Sequence, residues 1–148
     1  MGRKPRIEYE GAIYHVIQRG NNKDYIFEKD EDKGFLIKDI FSKKTDLGFK
    51  LIGYVIMDNH FHIILQTMDK PLRSIMHRIN SKYSKYYNYR CGRRGHVFGE
   101  RYKAIPVQNE SYLLTLLRYV HQNPVRAGIC SLVEEYRWSS DYYYRNDK

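Results

Sequence analysis

A chain of 148 residues is long enough for one domain with a proper hydrophobic core and too short for two domains of ordinary size. Its formal net charge of +9 and its pI of about 9.5 favour a polyanionic partner, because such an excess attracts phosphates whatever their sequence. The chain has no long uncharged apolar run and its N-terminus lacks the apolar core of a signal peptide, so we expect no membrane partner and a cytoplasmic location.

The first half of the chain predicts a strand, a helix and two more strands. Residues 12–19 alternate β-branched and aromatic side chains and stop at a Gly-Asn-Asn turn signal, which predicts a first strand carrying His15. From Asp30 to Leu47 the apolar residues recur at helical spacing, with Gly48 as the C-terminal stop. Residues 49–57 predict a second strand, which a tight connection joins to a third strand in an antiparallel hairpin.

The second half predicts a helix, a strand and another helix. An apolar and tyrosine stripe over residues 72–87 marks a second helix with basic outer faces. Residues 102–107 predict a short strand, and Pro106 places it at a sheet edge because proline donates no ladder hydrogen bond. A helix from about Glu110 to His121 follows, capped by Asn109 or Ser111. Trp138 is expected to pack the tail onto the domain, whereas residues 142–144 favour no element and are compatible with disorder.

This order of elements predicts an α+β fold. Strand, helix, strand, strand, helix, strand is the split β-α-β sandwich of the ferredoxin-like plan, here with an appended C-terminal helix. The plan places the first and third strands at the centre of the sheet and the proline-bearing fourth strand at an edge. We expect residues 1–148 to form one domain, with a basic arm over residues 1–8 and an aromatic polar tail over residues 139–148.

Two histidines lie two residues apart in the third predicted strand. Since successive side chains of a strand point to opposite faces, His60 and His62 share one face, and Phe61 and Ile63 share the other. Burial of the apolar face would fix the strand register. Two adjacent imidazoles can grip a metal ion, although two polar residues on the wetter face of a strand are the commoner explanation of a His-x-His pattern. A metal held by two imidazoles needs a third ligand.

The appended helix offers both a ligand and a nucleophile. Tyr119 and Asn123 are neighbours on one helix face, at the rim of the leucine stripe, where they can face the sheet and still meet substrate. Asn123 also precedes Pro124, a pattern typical of an N-cap followed by the first residue of a new helix. The sequence leaves open whether the Asn123 amide is a metal ligand or a helix cap.

Three segments together resemble a known family. They are Gly-Tyr-Val-Ile-Met-Asp-Asn-His-Phe-His at residues 53–62, Gly-His-Val-Phe-Gly-Glu-Arg-Tyr-Lys at 95–103, and Arg-Tyr-Val-His-Gln-Asn-Pro-Val-Arg-Ala-Gly at 118–128. From about residue 14 to residue 140 the chain resembles the HUH single-tyrosine transposases, which are IS200-like, and in particular the REP-associated tyrosine transposases. The commoner family form has a proline where this chain has Asp58, whose carboxylate would strengthen metal binding or change the turn.

The resemblance implies roles for four residues and a reaction. By it, His60 and His62 match the metal ligands, Tyr119 matches the nucleophile, and Asn123 matches the polar residue that completes the metal site. It also implies cleavage and rejoining of single-stranded DNA, with hairpin-forming sequences recognised beside the cut.

The chemistry expected of such a site is intelligible from its residues. Mg²⁺ or Mn²⁺ would bind oxygens of the scissile phosphate and align it for attack. Tyr119 would attack the phosphorus and leave a 5′-phosphotyrosine with a free 3′-hydroxyl. The reference pKa of tyrosine is about 10, so the metal or Arg118 would have to favour the phenolate. The sequence leaves open which group removes the phenolic proton. His121 is one candidate, although a packing or exposed histidine is the commoner explanation of this residue.

Basic residues in four places are the candidate DNA contacts. The N-terminal arm has Arg3, Lys4 and Arg6, and the second helix has Arg73, Lys82 and Lys85. The following loop has Arg93, Arg94 and Arg101. Arg118 lies beside the candidate nucleophile. The expected partner is single-stranded DNA that forms hairpins. The sequence leaves open the DNA target, whether the chain acts as a monomer or a homodimer, and whether it mobilises itself or serves a host.

Two other functions stay open. A noncatalytic single-stranded DNA or RNA hairpin-binding module suits a ferredoxin-like sheet with aromatic residues, although the chain lacks a Lys/Arg-Gly-Phe/Tyr-Gly/Ala-Phe-Val signature. A zinc hydrolase would cut without a covalent step. Cys91 and Cys130 lack Cys-x-x-Cys partners and support no zinc knuckle. Tyr102 and the tyrosines over residues 83–89 are the other candidate nucleophiles.

Overall fold

The computed structural model describes residues 9–146. The basic arm with Arg3, Lys4 and Arg6 lies outside the described residues. The strands are β1 (Ile13–Arg19), β2 (Lys50–Ile56), β3 (His60–Gln66) and β4 (Lys103–Val107). The helices are α1 (Asp30–Leu47), α2 (Leu72–Cys91), α3 (Glu110–His121), α4 (Asn123–Arg126) and α5 (Ser140–Asn146), with 3₁₀ turns at Asn21–Lys23 and Val133–Glu135.

The four strands form one antiparallel sheet in the order β2-β3-β1-β4. The central position of β1 and β3 confirms the predicted ferredoxin-like arrangement. Within residues 9–146 β4 pairs with β1 alone, so Pro106 lies on an edge strand as its missing N–H requires. α1 ends where predicted, because Gly48 adopts the left-handed φ of 73° that closes a helix.

α1 and α2 cover one face of the sheet and build the larger core. Phe61 and Ile63 of β3 are fully buried in that core together with Tyr83 of α2. An ion pair ties the two helices together, since Arg90 contacts the buried Asp32 carboxylate at 2.5 Å. With the apolar row of β3 fixed toward these helices, His60 and His62 face the opposite side.

α3 crosses the opposite face of the sheet. Its Leu116 and Val120 pack on Val55 of β2 and Ile64 of β3 in a second buried cluster. α3 leaves the β4 side of this face open, where Ile105 is 40% exposed. The histidine row of β3 therefore lies on the same face as α3, with His62 buried and His60 partly exposed.

The C-terminal segment corrects one prediction. Residues 142–144, expected to favour no element, lie in α5, which docks on β2. The docking is held by Ser140, whose Oγ accepts a 2.9 Å hydrogen bond from the Tyr54 backbone N–H. Trp138 packs on the core as predicted, and its carbonyl accepts a 2.9 Å bond from Ile56 N. Among the described helices, none is long and apolar enough to cross a membrane.

Candidate active site

Three histidines meet on the open face of the sheet. His15 of β1 and His62 of β3 are each 5% exposed, and His15 Nε2 lies 2.9 Å from His62 Nδ1. Their rings are nearly coplanar, with an interplanar angle of 16° and centroids 5.1 Å apart, so the nitrogens meet edge to edge in a hydrogen bond. The His60 ring lies 5.1 Å from the His62 ring. His15 therefore supports His62 from the neighbouring strand.

Burial keeps all three imidazoles neutral. Desolvation lowers the pKa of His15 to about 4. Desolvation and, to a smaller extent, charge repulsion from Arg19 together lower the pKa of His60 to about 4. Desolvation lowers the pKa of His62 to about 3, with smaller contributions from its histidine and arginine neighbours. At neutral pH each ring carries one proton and offers one lone pair, which is the form that binds a metal ion.

The hydrogen bonds determine which nitrogen of each ring carries the lone pair. Asn59 Oδ1 lies 2.7 Å from His60 Nδ1 and can only accept, so the proton sits on Nδ1 and the lone pair on Nε2. Asn123 Nδ2 lies 3.1 Å from His62 Nε2 and can only donate, which again places the lone pair on Nε2. His62 Nδ1 then donates to His15 Nε2. Both histidines of the pair therefore carry their lone pair on Nε2, and the lone pair of His62 accepts from Asn123 Nδ2.

Tyr119 stands beside this pair at the end of α3. Its side chain is 49% exposed and its ring centroid lies 6.5 Å from that of His62. Arg126 of α4 holds the ring, since its guanidinium carbon lies 4.0 Å from the ring centroid and its Nη2 donates to the Tyr119 carbonyl at 3.0 Å. Sequence reasoning missed Arg126 because only the turn through Pro124 brings it back over the tyrosine.

The donor set of the site fits a divalent metal ion. Over residues 9–146 no group of three or more His, Cys, Asp or Glu side chains could hold a metal, so the histidine pair needs a ligand of another type. The Asn123 amide is in contact with His62 Nε2 and makes no capping bond in the turn into α4, which begins at Asn123 itself. The N-cap alternative is therefore wrong, because the side chain faces β3. An amide oxygen suits Mg²⁺ or Mn²⁺, whereas imidazoles favour transition metals, so these residues fit a divalent metal ion without selecting which one.

Two other polar residues near the pair face elsewhere. Asp58 Oδ1 lies 2.7 Å from Lys33 Nζ, so this carboxylate is engaged with α1 rather than with the histidines. His121 Nε2 lies 2.6 Å from Ser140 Oγ, which directs that ring toward α5. Of the alternative nucleophiles, Tyr83 is fully buried under the other face of the sheet, and Tyr102 lines a groove beside α2. Tyr119 is the tyrosine that the structure brings to the histidines.

The candidate DNA contacts divide into three groups. Arg73, Lys85 and Arg101 line one groove beside α2. Lys82 and Arg93 are engaged within the protein, the first with Asp39 at 3.2 Å and the second with the His96 carbonyl at 3.2 Å. Arg94 and Arg118 are exposed.

One basic residue near the candidate metal ligands was missed by sequence reasoning. Arg19 of β1 lies directly opposite His60 in the sheet. Its signal was the alternation of Ile13, His15, Ile17 and Arg19, which places all four on one face once β1 is known to pair with β3.

A ferredoxin-like sheet with a His-x-His strand beside a helix that presents a tyrosine is the arrangement of a DNA-processing transposase. Over residues 8–123 the chain matches the family described as transposase IS200 like, and it belongs to that family. DNA transposition is therefore its class of activity. A separate comparison with curated proteins gave no match.

Two solved structures share the fold. One is a REP-associated tyrosine transposase bound to a REP hairpin, with a TM-score of 0.80 at 19% identity, covering 97% of this chain and 84% of that chain. The other is a protein described as a transposase from Deinococcus radiodurans R1, with a TM-score of 0.55 at 14% identity, covering 82% of this chain and 95% of that chain.

Proposed function

We propose that this protein cleaves and rejoins single-stranded DNA in a metal-dependent reaction that passes through a 5′-phosphotyrosine on Tyr119. The observation that carries the proposal is the meeting of Tyr119 and Asn123 with His62, at a ring separation of 6.5 Å and a polar contact of 3.1 Å. These residues come from α3, α4 and β3, and no packing requirement explains why an exposed phenol and an amide should converge on a buried neutral imidazole.

His60, His62 and Asn123 are the residues that would hold Mg²⁺ or Mn²⁺. When bound, the ion would neutralise charge that develops on the scissile phosphate. Asn59 and His15 orient the two imidazoles through their Nδ1 atoms, so that both lone pairs lie on Nε2, and a metal ion at His62 would replace the hydrogen bond from Asn123 Nδ2. Arg19, opposite His60, adds a positive charge where a phosphate would lie.

Tyr119 carries the covalent step. Its phenolic oxygen, after losing its proton, forms a bond to the scissile phosphorus, and the bond from phosphorus to the 3′ oxygen of the preceding nucleotide breaks. The leaving 3′ oxygen takes up a proton, which gives a 3′-hydroxyl and a 5′-phosphotyrosine. A 3′-hydroxyl of a second strand then attacks the same phosphorus and releases the tyrosine. Arg126 keeps the ring at the site throughout.

Hairpin-forming single strands are the proposed substrate. The solved REP-associated transposase with this fold is bound to a REP hairpin. In the present chain, exposed cations flank the open histidine face, and a net charge of +9 favours a polyanion of some length.

The test is capture of the covalent adduct. The protein is incubated with Mn²⁺ and a pool of labelled DNA hairpins that carry randomised unpaired tails, and protein-linked DNA is recovered under denaturing conditions and sequenced. We expect a 5′-linked fragment with wild type and none with Tyr119→Phe. Tyr112→Phe is the matched control, since Tyr112 lies on the same helix and is 46% exposed against 49% for Tyr119.

The alternatives give different outcomes in the same assay. A noncatalytic hairpin-binding module retains DNA but yields no linked fragment with any variant. A zinc hydrolase cuts the strand without an adduct and survives Tyr119→Phe. An adduct of undiminished yield in Tyr119→Phe rejects the assignment of the nucleophile.

A further inference from the structure

The last turn of α3 is joined to the start of α5 by a buried hydrogen bond. His121 Nε2 lies 2.6 Å from Ser140 Oγ, although the two residues are 19 positions apart in the chain. Ser140 is 2% exposed, and the side chain of His121 is 11% exposed. The bond is therefore shielded from solvent, and it ties the helix that presents Tyr119 to the C-terminal helix.

The Ser140 hydroxyl is a fixed point in the fold. Its Oγ accepts a 2.9 Å hydrogen bond from Tyr54 N of β2 and lies 3.3 Å from the Tyr54 carbonyl oxygen. The backbone just before it is held to the same strand, since Ser139 forms an antiparallel bridge with Val55. A side chain that binds Ser140 Oγ is thereby tied to the backbone of β2.

A serine, a histidine and an aspartate meet here, but they do not form a nucleophilic triad. The Ser140 oxygen is buried and already engaged by Tyr54, so it is closed to a substrate. Asp141 Oδ1 lies 3.9 Å from His121 Nδ1, which is too far for a hydrogen bond, and Asp141 Oδ2 pairs with Arg145 at 2.7 Å. Burial lowers the pKa of His121, so the ring is neutral at pH 7 and Ser140 is its stronger polar contact. The arrangement is suited to attachment of a helix.

The attachment point is two residues from the candidate nucleophile. At about 100° per residue, side chains two positions apart on a helix point to roughly opposite sides. His121 accordingly faces α5, while Tyr119 faces His62 at a ring separation of 6.5 Å. Asn123, two residues further on, contacts His62 Nε2 at 3.1 Å. The anchored side chain therefore lies between the nucleophile and the candidate third ligand.

The two ends of α3 are held in different ways. Asn109 caps the start of the helix, since its Oδ1 accepts from Tyr112 N at 2.8 Å. Packing of Leu116 and Val120 presses the helix onto the sheet, but apolar contact is not directional. A hydrogen bond has a defined length and direction, so His121 is suited to fix where the last turn lies on the sheet.

We propose that His121 is a positioning residue for strand cleavage, which by binding Ser140 Oγ holds the last turn of α3 where Tyr119 and Asn123 both reach His62. The inference rests on the proposed function for the reaction that is positioned. In this role His121 touches neither DNA nor metal, and it does not remove the phenolic proton. Ser140 is its anchor.

The first test exchanges His121 for two amides of different length. Gln places its amide nitrogen three bonds from Cβ, as His Nε2 is, whereas Asn places it two bonds away, as His Nδ1 is. We expect His121→Gln to keep the bond to Ser140 and to form the Tyr119 adduct within about threefold of the wild-type rate in single turnover with Mn²⁺ and a hairpin recovered from the adduct pool.

The shorter amide should lose the bond. We expect His121→Asn to form the adduct more slowly by about tenfold or more, because a displaced nucleophile is costly. The dissociation constant of the same hairpin, measured by fluorescence anisotropy in EDTA, should stay as in wild type, since no DNA contact is removed. Thr115→Val is the matched control and should react as wild type does, since Thr115 Oγ1 donates to the Ser111 carbonyl within α3.

Ser140→Ala shows whether the effect passes through the serine. If it does, the double variant His121→Asn/Ser140→Ala should be about as slow as the slower of the two single variants, because both changes remove the same bond.

Hydrogen exchange gives a readout that needs neither DNA nor cleavage. In metal-free protein, the backbone amides of residues 119–126 should exchange about fivefold faster in His121→Asn and in Ser140→Ala than in wild type, the effect of one net hydrogen bond. Residues 110–116 should exchange as in wild type, and His121→Gln should match wild type throughout.

Three outcomes overturn the inference. Equal loss of rate in His121→Gln and His121→Asn would assign the ring to proton transfer. Rate losses that multiply in the double variant would separate His121 from Ser140. Unchanged exchange in His121→Asn would show that packing alone holds the turn.

Failure of the inference and failure of the proposed function are distinguishable. If one of these outcomes occurs while wild type forms the Tyr119 adduct, the positioning role fails and the proposed function stands. If wild type forms no adduct, the proposed function fails and the role in cleavage fails with it, whereas the exchange rates still decide whether His121 holds the end of α3.

Discussion

His62 has both ring nitrogens engaged, one by His15 and one by Asn123. A buried imidazole without such partners could carry its proton on either nitrogen, and a fraction of the molecules would then present N–H instead of a lone pair to a metal. The hydrogen bond that His62 Nδ1 donates to His15 Nε2 favours the productive form and holds the ring in place. His15 is thus a positioning residue that contacts a candidate metal ligand but not the proposed metal site itself.

Replacement of His15 should therefore weaken metal binding. In His15→Ala we expect Mn²⁺ affinity to fall by about 10- to 100-fold, because His62 loses the acceptor that fixes its tautomer. Electron paramagnetic resonance of free Mn²⁺ measures this without DNA or cleavage. His96→Ala, at an exposed histidine in the loop after α2, is the control and should bind Mn²⁺ as wild type does. Equal affinity in His15→Ala would show that Asn123 alone orients His62.

At the scale of elements, the position of α3 depends on the absence of a Cβ atom at Gly53 of β2. The pairing of β2 with β3 shifts register between Leu51 and Gly53, which bends β2 under the helix. A Cβ built on Gly53 would overlap Leu117 Cδ1 of α3 and come within 3.3 Å of Ser140 Oγ. Glycine therefore allows α3 to approach the sheet closely, and that approach sets the distance from Tyr119 to the histidines.

Gly53→Ala should impair the reaction by moving the helix. We expect adduct formation to slow by about tenfold or more, since small displacements of a nucleophile are costly, while Mn²⁺ affinity stays nearly as in wild type. The compensating variant is Gly53→Ala with Leu117→Ala, which removes the atom that the new methyl group meets. Recovery of adduct formation in the double variant, with Leu117→Ala alone as its reference, measures the coupling. Absence of recovery would place the fault in β2 itself.

The elements with strong local signals could be predicted from the sequence. The acidic first turn of α1 and Gly48 bound that helix, and alternation along β3 puts His60 and His62 on one face. Residues 142–144 could not be predicted, because α5 is held by tertiary contacts to β2 rather than by a periodic stripe.

The site was only partly accessible to local reasoning. The contact of His15 with His62 joins residues 47 positions apart and depends on strand register. Helix periodicity predicted Tyr119 at the rim of the leucine stripe, and the family resemblance matched it to the nucleophile, since periodicity alone does not say which sheet face α3 covers.

At the scale of the whole molecule, one face of the sheet carries the larger hydrophobic core and the other face carries the candidate active site. The larger core lies between the sheet and the α1–α2 layer, whereas the histidines lie on the other face at the border of the smaller cluster under α3. Burying three imidazoles there requires each to stay neutral, so the folded protein resists protonation in a pH range where the unfolded chain accepts it.

Folding stability of the metal-free protein should consequently fall on acidification. The histidine pKa is about 6.5 in the unfolded chain. In the folded protein it is about 4 for His15 and His60 and about 3 for His62. Above pH 6.5 their contribution to the free energy of unfolding is complete. As the pH falls toward 4 this contribution is lost, because the unfolded chain then binds more protons than the folded protein. The loss is at most about 1.4 kcal/mol per pH unit for each histidine.

Urea unfolding at pH 7.5, 6.0 and 5.0 in EDTA measures this loss before most carboxylates titrate. Between pH 6 and 5 the free energy of unfolding of His62→Gln should decline less steeply than that of wild type. The difference in slope should correspond to up to one proton taken up on unfolding, since one buried imidazole is gone. His77→Gln, at an exposed position on α2, should keep the wild-type slope. A wild-type free energy of unfolding that is constant from pH 7.5 to 5.0 would contradict the buried neutral state. It would mean that water reaches His15, His60 and His62. The rings would then not be held in one tautomer, and the proposed metal binding would lose the fixed lone pairs on which it depends.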